Sequence, residues 1–130
     1  MIKNIQIVNT HTIRAAMALL EKNTEKCLIV VDKNNRFYST LTDGDIRRAI
    51  LKGSNLETTI KDFIKKKKSL TISEKIYKNS SLKEIKKIIE KFPKKKINLI
   101  PILDNNKRVI DYIENINSKS SNEKLKKIPL

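Results

Sequence analysis

Tryptophan is absent from this chain, histidine and cysteine occur once each, and there are only two glycines among 130 residues. Each scarcity removes a class of chemistry. A single cysteine, Cys27, permits no internal disulfide, and its place at the head of the apolar run Cys27-Leu28-Ile29-Val30-Val31 reads as a buried structural thiol. His11 has no second ligand or carboxylate in a metal-site or triad pattern around it, so it reads as a surface residue. Gly44 and Gly53 are too few for a glycine-rich loop that cradles a triphosphate. The 14 carboxylates are scattered among lysines, which leaves no pair for acid–base work. The chain therefore reads as non-catalytic. No apolar run approaches the ~18 residues that span a bilayer, and Met1 to Thr10 lacks the three-part pattern of a signal peptide, so a cytoplasmic location is expected.

What the chain has in excess is lysine. Lysine and arginine total 29 and the formal net charge is +15, which raises nucleic-acid binding as one reading. Aromatic interleaving is missing, however: only Phe63 lies near the Lys65 to Lys68 run, where a single-strand binder would need stacking platforms. Arginine, the better reader of phosphates and bases, is sparse. Abundant isoleucine and asparagine beside the lysine match an AT-rich coding bias. The runs at Lys65 to Lys68 and Lys94 to Lys96 read as solvated loops. The length suits one ordinary core or two small ones.

In chain order, residues 5–8 form a strand signal, and Thr10 is positioned to cap a helix whose apolar face is Ile13, Ala16, Met17 and Leu20. Residues 27–31 predict a strand covered on both faces, Asp32 to Asn35 a turn, and Phe37 to Leu41 the returning strand. A helix over 43–52 ends at Gly53. Residues 54–70 form a connector, read as ordered, with one apolar patch at Ile60, Phe63 and Ile64, and Leu70 to Ile72 follow as a short strand. Ser81 and Glu84 make a capping box before an apolar face of Leu82, Ile85, Ile89 and Phe92, closed by Pro93. Ile97 to Leu103 and Arg108 to Ile113 predict a second hairpin about Asp104 to Lys107. Asp32 matches Asp104, Arg36 matches Arg108 and Leu41 matches Ile113, a constant offset of 72 through strand, turn and strand. That constancy marks an internal duplication.

The stretch Ser39 to Ile50 organises the rest. Beta-prone residues run straight into helical spacing with Ile46, Ala49 and Ile50 on one face. Such a junction offers free N–H groups and the positive end of the helix dipole to an anion. Thr42 and Asp45, three apart, lie on one side of the helix start, and their spacing is also close to a capping box. Thr42-Asp-Gly-Asp-Ile-Arg-Arg-Ala-Ile-Leu-Lys-Gly53 resembles the strand-to-helix segment of a CBS domain, a β-α-β-β-α module that occurs in tandem and binds adenine nucleotides.

The resemblance implies an α/β tandem CBS pair, a Bateman-type module of two β-α-β-β-α repeats: repeat 1 over 1–53, an inter-repeat linker over 54–70, repeat 2 over 71–117, and a polar tail or linker to an absent catalytic domain over 118–130. It implies that Thr42 and Asp45 hold the ribose hydroxyls, that Ile29, Ile7, Val8 and Thr10 frame adenine, and that Arg48 or Lys26 meets phosphate. Ser39 stands where the family usually has a smaller residue. In the second repeat Pro101 falls at the equivalent of Ile29, a position at which the family's second strand usually carries proline. Glu114 replaces Thr42, Asn117 replaces Asp45 and Asp111 takes a small residue's place, so the second repeat loses both features of the ribose motif, though Asn117 can still accept one hydrogen bond. Thr40-Leu-Thr-Asp-Gly-Asp-Ile-Arg-Arg48 with Lys124-Leu-Lys-Lys-Ile-Pro129 is similar to the N-terminal CBS pair of bacterial sugar-nucleotidyltransferases, including those that activate nonulosonic acids. The implied function is a regulatory, homodimeric module with no cofactor, binding AMP, ADP or ATP and modulating an attached or partner nucleotidyltransferase. The alternatives are a ligand-free dimerisation scaffold and the basic nucleic-acid binder.

Overall fold

The structure, a computed structural model, describes residues 4–65, 70–91, 99–115 and 125–127. It divides into two compact units, Met1–Ser69 and Leu70–Leu130.

In the first unit, β1 (Gln6–Val8), β2 (Cys27–Val31) and β3 (Phe37–Thr42) form a sheet in that order, with β1 parallel and β3 antiparallel to β2. The crossover from β1 to β2 is α1 (Ile13–Lys22), and α2 (Asp43–Leu51) follows β3 directly. Leu28, Val30 and Leu41 on one face of the sheet pack with Ile7, Ile13, Ala16, Leu20, Ile46 and Ala49 to form the core. Every residue of β2 is buried, as its continuous apolar run predicts for a central strand.

Three helix features show where local chemistry rules and where packing overrides it. Thr12, not Thr10, caps α1, its hydroxyl accepting from the Ala15 N–H at 3.2 Å. Thr10 is instead an exposed turn residue. The reason is tertiary. Residues 9–11 are held outside the helix by Asn9 N–H to Val31, Lys61 N–H to Asn9 and Ile60 N–H to His11. Met17 and Ile50, expected on the apolar faces, are 43% and 42% exposed, because the buried stripes narrow to Ile13, Ala16 and Leu20 on α1 and to Ile46 and Ala49 on α2. The end of α2 behaves as read. Gly53 has φ +114°, the Ser54 N–H reaches back to Ala49 and the Gly53 N–H to Ile50, which is the Schellman arrangement.

Residues 54–65 of the connector are built into the first unit. Thr59 bridges to Thr12, Ile60 is fully buried, and α3 (Ile60–Phe63) leads into Ile64, also in the core. Its carbonyls at Thr58 and Leu56 accept the Ile13 and Arg14 N–H groups. Together with the Thr12 hydroxyl on Ala15, they occupy the first three donors of α1. That helix start therefore has no free donor there for an anion.

The second unit has β4 (Ile72–Ser73), α4 (Glu74–Asn79), α5 (Leu82–Glu90), β5 (Leu99–Leu103), β6 (Val109–Asn115) and β7 (Leu125–Lys127), with strand order β4-β5-β6-β7. The duplication holds at atomic level. Asp32 and Asp104 each bond the turn in the same way: Oδ1 accepts from Asn34 and Arg36 in one, from Asn106 and Arg108 in the other. Asn35 and Lys107 both take positive φ, and both hairpins shift register at the same place, between Val30 and Val31 and between Ile102 and Leu103. Ser81 and Glu84 complete the predicted capping box, with Ile85 buried and Ile89 packed on the core, while Leu82 is largely exposed.

Differences from the sequence reading have local causes. Helix α4 has no signal in the periodicity of the sequence. It fills the longer link between first strand and crossover helix, with Ser73 capping it and Tyr77 buried on the core. Pro101 sits in the middle of β5, and the pairing with β4 starts only at Ile102. The equivalent Ile29 N–H in the first unit does bond, to the Ile5 carbonyl, so the donor that proline lacks shortens the ladder. The composition of residues 118–130 predicts a polar tail, yet Leu125–Lys127 pair antiparallel with β6. A strand recruited by a free sheet edge need carry no apolar alternation of its own. Phe92, Pro93, Ile97, Asn117 and the lysines at 66–68 and 94–96 lie outside the described residues.

Candidate functional site

The junction of β3 and α2 is a closed hydrogen-bond unit. The Thr42 N–H donates to Asp45 Oδ2 at 2.9 Å and its hydroxyl donates to the same oxygen at 3.1 Å. The Asp45 N–H returns a bond to the Thr42 hydroxyl oxygen at 3.3 Å. This is a capping box, as the spacing indicated, and it fixes both side chains at the mouth of the helix. Arg48, one turn on, donates from Nη2 to Asp45 Oδ1 at 2.8 Å. The Arg48 side chain is 65% exposed and that of Asp45 19%. Arg47 is exposed.

Gly44 supplies the room for this arrangement, a role invisible to spacing alone. A Cβ at Gly44 would lie 3.3 Å from Arg48 Nη1 and 3.4 Å from Nη2. The guanidinium thus lies over the first turn of α2, where a side chain at 44 would crowd it. The only hint in the sequence was a glycine near a helix start, where it costs roughly 0.5–1 kcal/mol relative to alanine.

Strand register decides which of the other candidates share this end. Thr42 pairs with Cys27, at the start of β2. The exposed Lys26, with φ +59° and its N–H held by the Asn23 side chain, therefore stands beside the junction. Val8 pairs with Val31, at the finish of β2, and Thr10 lies beyond it. Four residue steps separate Cys27 from Val31, or about 13 Å along the strand. Val8 and Thr10 therefore stand at the opposite end of the sheet from Thr42 and Asp45. Ile29 lies between, opposite Thr40, and is fully buried, and Ile7 is spent on the core. The unit brings together Thr42, Asp45, Arg48 and Lys26, and separates them from Val8 and Thr10.

Among the described residues of the second unit, the corresponding strand end carries different side chains. Glu114 pairs with Leu99 as Thr42 does with Cys27, but β6 continues through it to Asn115. Asp111, at the place of Ser39, is 3% exposed, and among the described residues its Oδ2 has no hydrogen-bond partner. Burial raises its pKa, against the lowering effect of the Tyr112 N–H, which bonds Oδ1 at 2.8 Å. Tyr77 is raised as well, by burial first and then by the Asp111 charge. Among the described residues no group of three or more His, Cys, Asp and Glu side chains is placed to hold a metal ion, and no helix is long and apolar enough to cross a membrane.

Two strand-helix-strand-strand repeats with a Thr-x-x-Asp unit at the first strand-to-helix junction define a small duplicated α/β module. Residues 1–52 match the family model for the CBS domain, and the fold of the chain is the CBS-domain fold. The chain is similar to Staphylococcus aureus OpuCA at a TM-score of 0.66 and 23% identity, over 88% of this chain and 87% of that one. It is also similar to the cytosolic domain of the Mg2+ channel MgtE in complex with ATP, at a TM-score of 0.62 and 13% identity, over 85% of this chain and 41% of that one. An uncharacterized protein of Helicobacter pylori strain J99 is 33% identical over 100 residues, which are 74% of this chain and 28% of that protein. The chain thus spans little more than a quarter of the length of that relative.

Proposed function

We propose that this chain is a regulatory module whose first unit binds an adenine nucleotide at the Thr42–Asp45 junction. The observation that carries the reading is the capping box itself, two half-buried oxygen-bearing side chains fixed at a helix mouth with the cations Arg48 and Lys26 beside them. In this reading Asp45 and Thr42 accept from the ribose hydroxyls, and the cations meet the phosphates. The protein described in complex with ATP shares this fold, which supports an adenine nucleotide as the ligand class.

The reading extends to control of a sugar-nucleotidyltransferase, fused or separate, supported by the resemblance of Thr40 to Arg48 and of Lys124 to Pro129 to the regulatory halves of such enzymes. Thermal unfolding with AMP, ADP, ATP and CMP tests the binding step. Ligand at about 100 times its dissociation constant adds roughly 2.7 kcal/mol. The expected result is an adenine-selective rise in midpoint that Asp45→Ala removes, with the circular dichroism of the variant unchanged. Loss of a hydrogen bond to a charged group corresponds to about a tenfold to hundredfold weaker ribose recognition. An equal shift in Asp45→Ala, or none with any nucleotide, would refute the reading.

A further inference from the structure

The carboxylate of Asp45 is nearly saturated without any ligand. An ionised carboxylate offers about four lone-pair positions. Oδ2 already accepts two donors from Thr42, and Oδ1 accepts Arg48. One position remains, while the cis-diol of a ribose brings two donors. The Thr42 bonds are part of the helix cap and are worth more to the fold. The Arg48 contact belongs to a guanidinium that is mostly in solvent, and exposed ion pairs of this kind are weak.

We infer that Arg48 is a displaceable counter-ion of Asp45: an incoming ribose diol takes its place on Oδ1, and the released guanidinium, held over the first turn of α2 by the space at Gly44, turns to the 5′-phosphate. The inference rests on the proposed nucleotide reading and adds a rule of selectivity to it. A nucleoside without phosphate must evict Arg48 and gives it nothing in return, whereas a nucleotide supplies the guanidinium with a new anion of better geometry. Ribose and phosphate recognition are thereby coupled through one side chain, and the site discriminates against unphosphorylated adenosine.

The test is isothermal titration of adenosine and AMP into wild-type protein, Arg48→Ala and Arg48→Lys. Removing the competitor should tighten adenosine binding about twofold to fivefold, the range expected for an exposed ion pair. The same change should weaken AMP about tenfold or more through loss of a charge-assisted contact. The two ligands therefore move in opposite directions. Arg48→Lys, which keeps the charge but loses the planar fork, should fall between. Weaker AMP with unchanged adenosine would make Arg48 a simple phosphate ligand and overturn the exchange. Equal loss of both ligands would assign it a structural role and also overturn the exchange. If wild-type protein binds neither ligand, the nucleotide reading falls and the exchange with it. AMP binding that is normal in wild type and abolished by Asp45→Ala keeps that reading even where the Arg48 result fails.

Discussion

Replacing Asp111 by serine should stabilise the protein, although it deletes one of the chain's 14 acidic side chains. Asp111 is 3% exposed in β6, opposite Ile102, on the face that packs into the second core. Among the described residues one of its oxygens has no hydrogen-bond partner, and the other accepts from the adjacent Tyr112 N–H. An unsatisfied buried polar group costs about 1–3 kcal/mol. The first repeat shows the alternative: Ser39 occupies the same position, fully buried, with its hydroxyl donating to the Thr40 carbonyl at 3.0 Å. Serine leaves a small void, which offsets part of the gain, so a net stabilisation of ~1–2 kcal/mol is expected. For a domain of 60–100 residues each kcal/mol is worth about 4–8 °C in midpoint. The effect also has a pH signature. Burial raises the folded-state pKa of Asp111 above its ordinary value, so ionisation penalises the folded state. That penalty is full at pH above the raised pKa and fades as pH falls through it towards the unfolded-state value. Thermal unfolding of Asp111→Ser and wild type at neutral and acidic pH should show an advantage for the variant that shrinks on acidification. A variant no more stable at neutral pH, or an advantage independent of pH, would refute the reasoning.

Two further substitutions separate local capping from packing. Thr12→Ala should cost ~1 kcal/mol in denaturant unfolding, because it removes the cap of α1, while Thr10→Ala at an exposed turn should stay within about 0.5 kcal/mol. Equal losses at both positions would contradict the observed cap. Gly53→Ala meets no neighbouring atom within 4 Å but must adopt φ +114°, so it should lose roughly 1–2 kcal/mol through backbone strain alone, with Gly53→Asn losing less. A neutral Gly53→Ala would show that the end of α2 relaxes out of its Schellman turn.

Periodicity and turn chemistry located the strands and crossover helices because both are local. The apolar run 27–31 forms a strand only when covered on both sides, and the Asp-x-Asn pattern of each hairpin brings its own hydrogen bonds. The Thr42–Asp45 cap was legible for the same reason, as all its bonds lie within four residues of chain. Helix α4 escaped because six residues give too short a period to read, and β7 because its partner edge, not its own pattern, makes it a strand.

By itself the sequence determined the duplicated α/β architecture, the first-repeat cap and the loss of its chemistry from the second repeat, since each depends on residue identities at fixed short spacings. Only the tertiary structure decided that the connector occupies the donors at the start of α1, moving the cap from Thr10 to Thr12. It also decided that Val8 and Thr10 lie a strand's length from Thr42, because β1 runs parallel and β3 antiparallel to the β2 between them, so their C-terminal ends fall at opposite ends of the sheet.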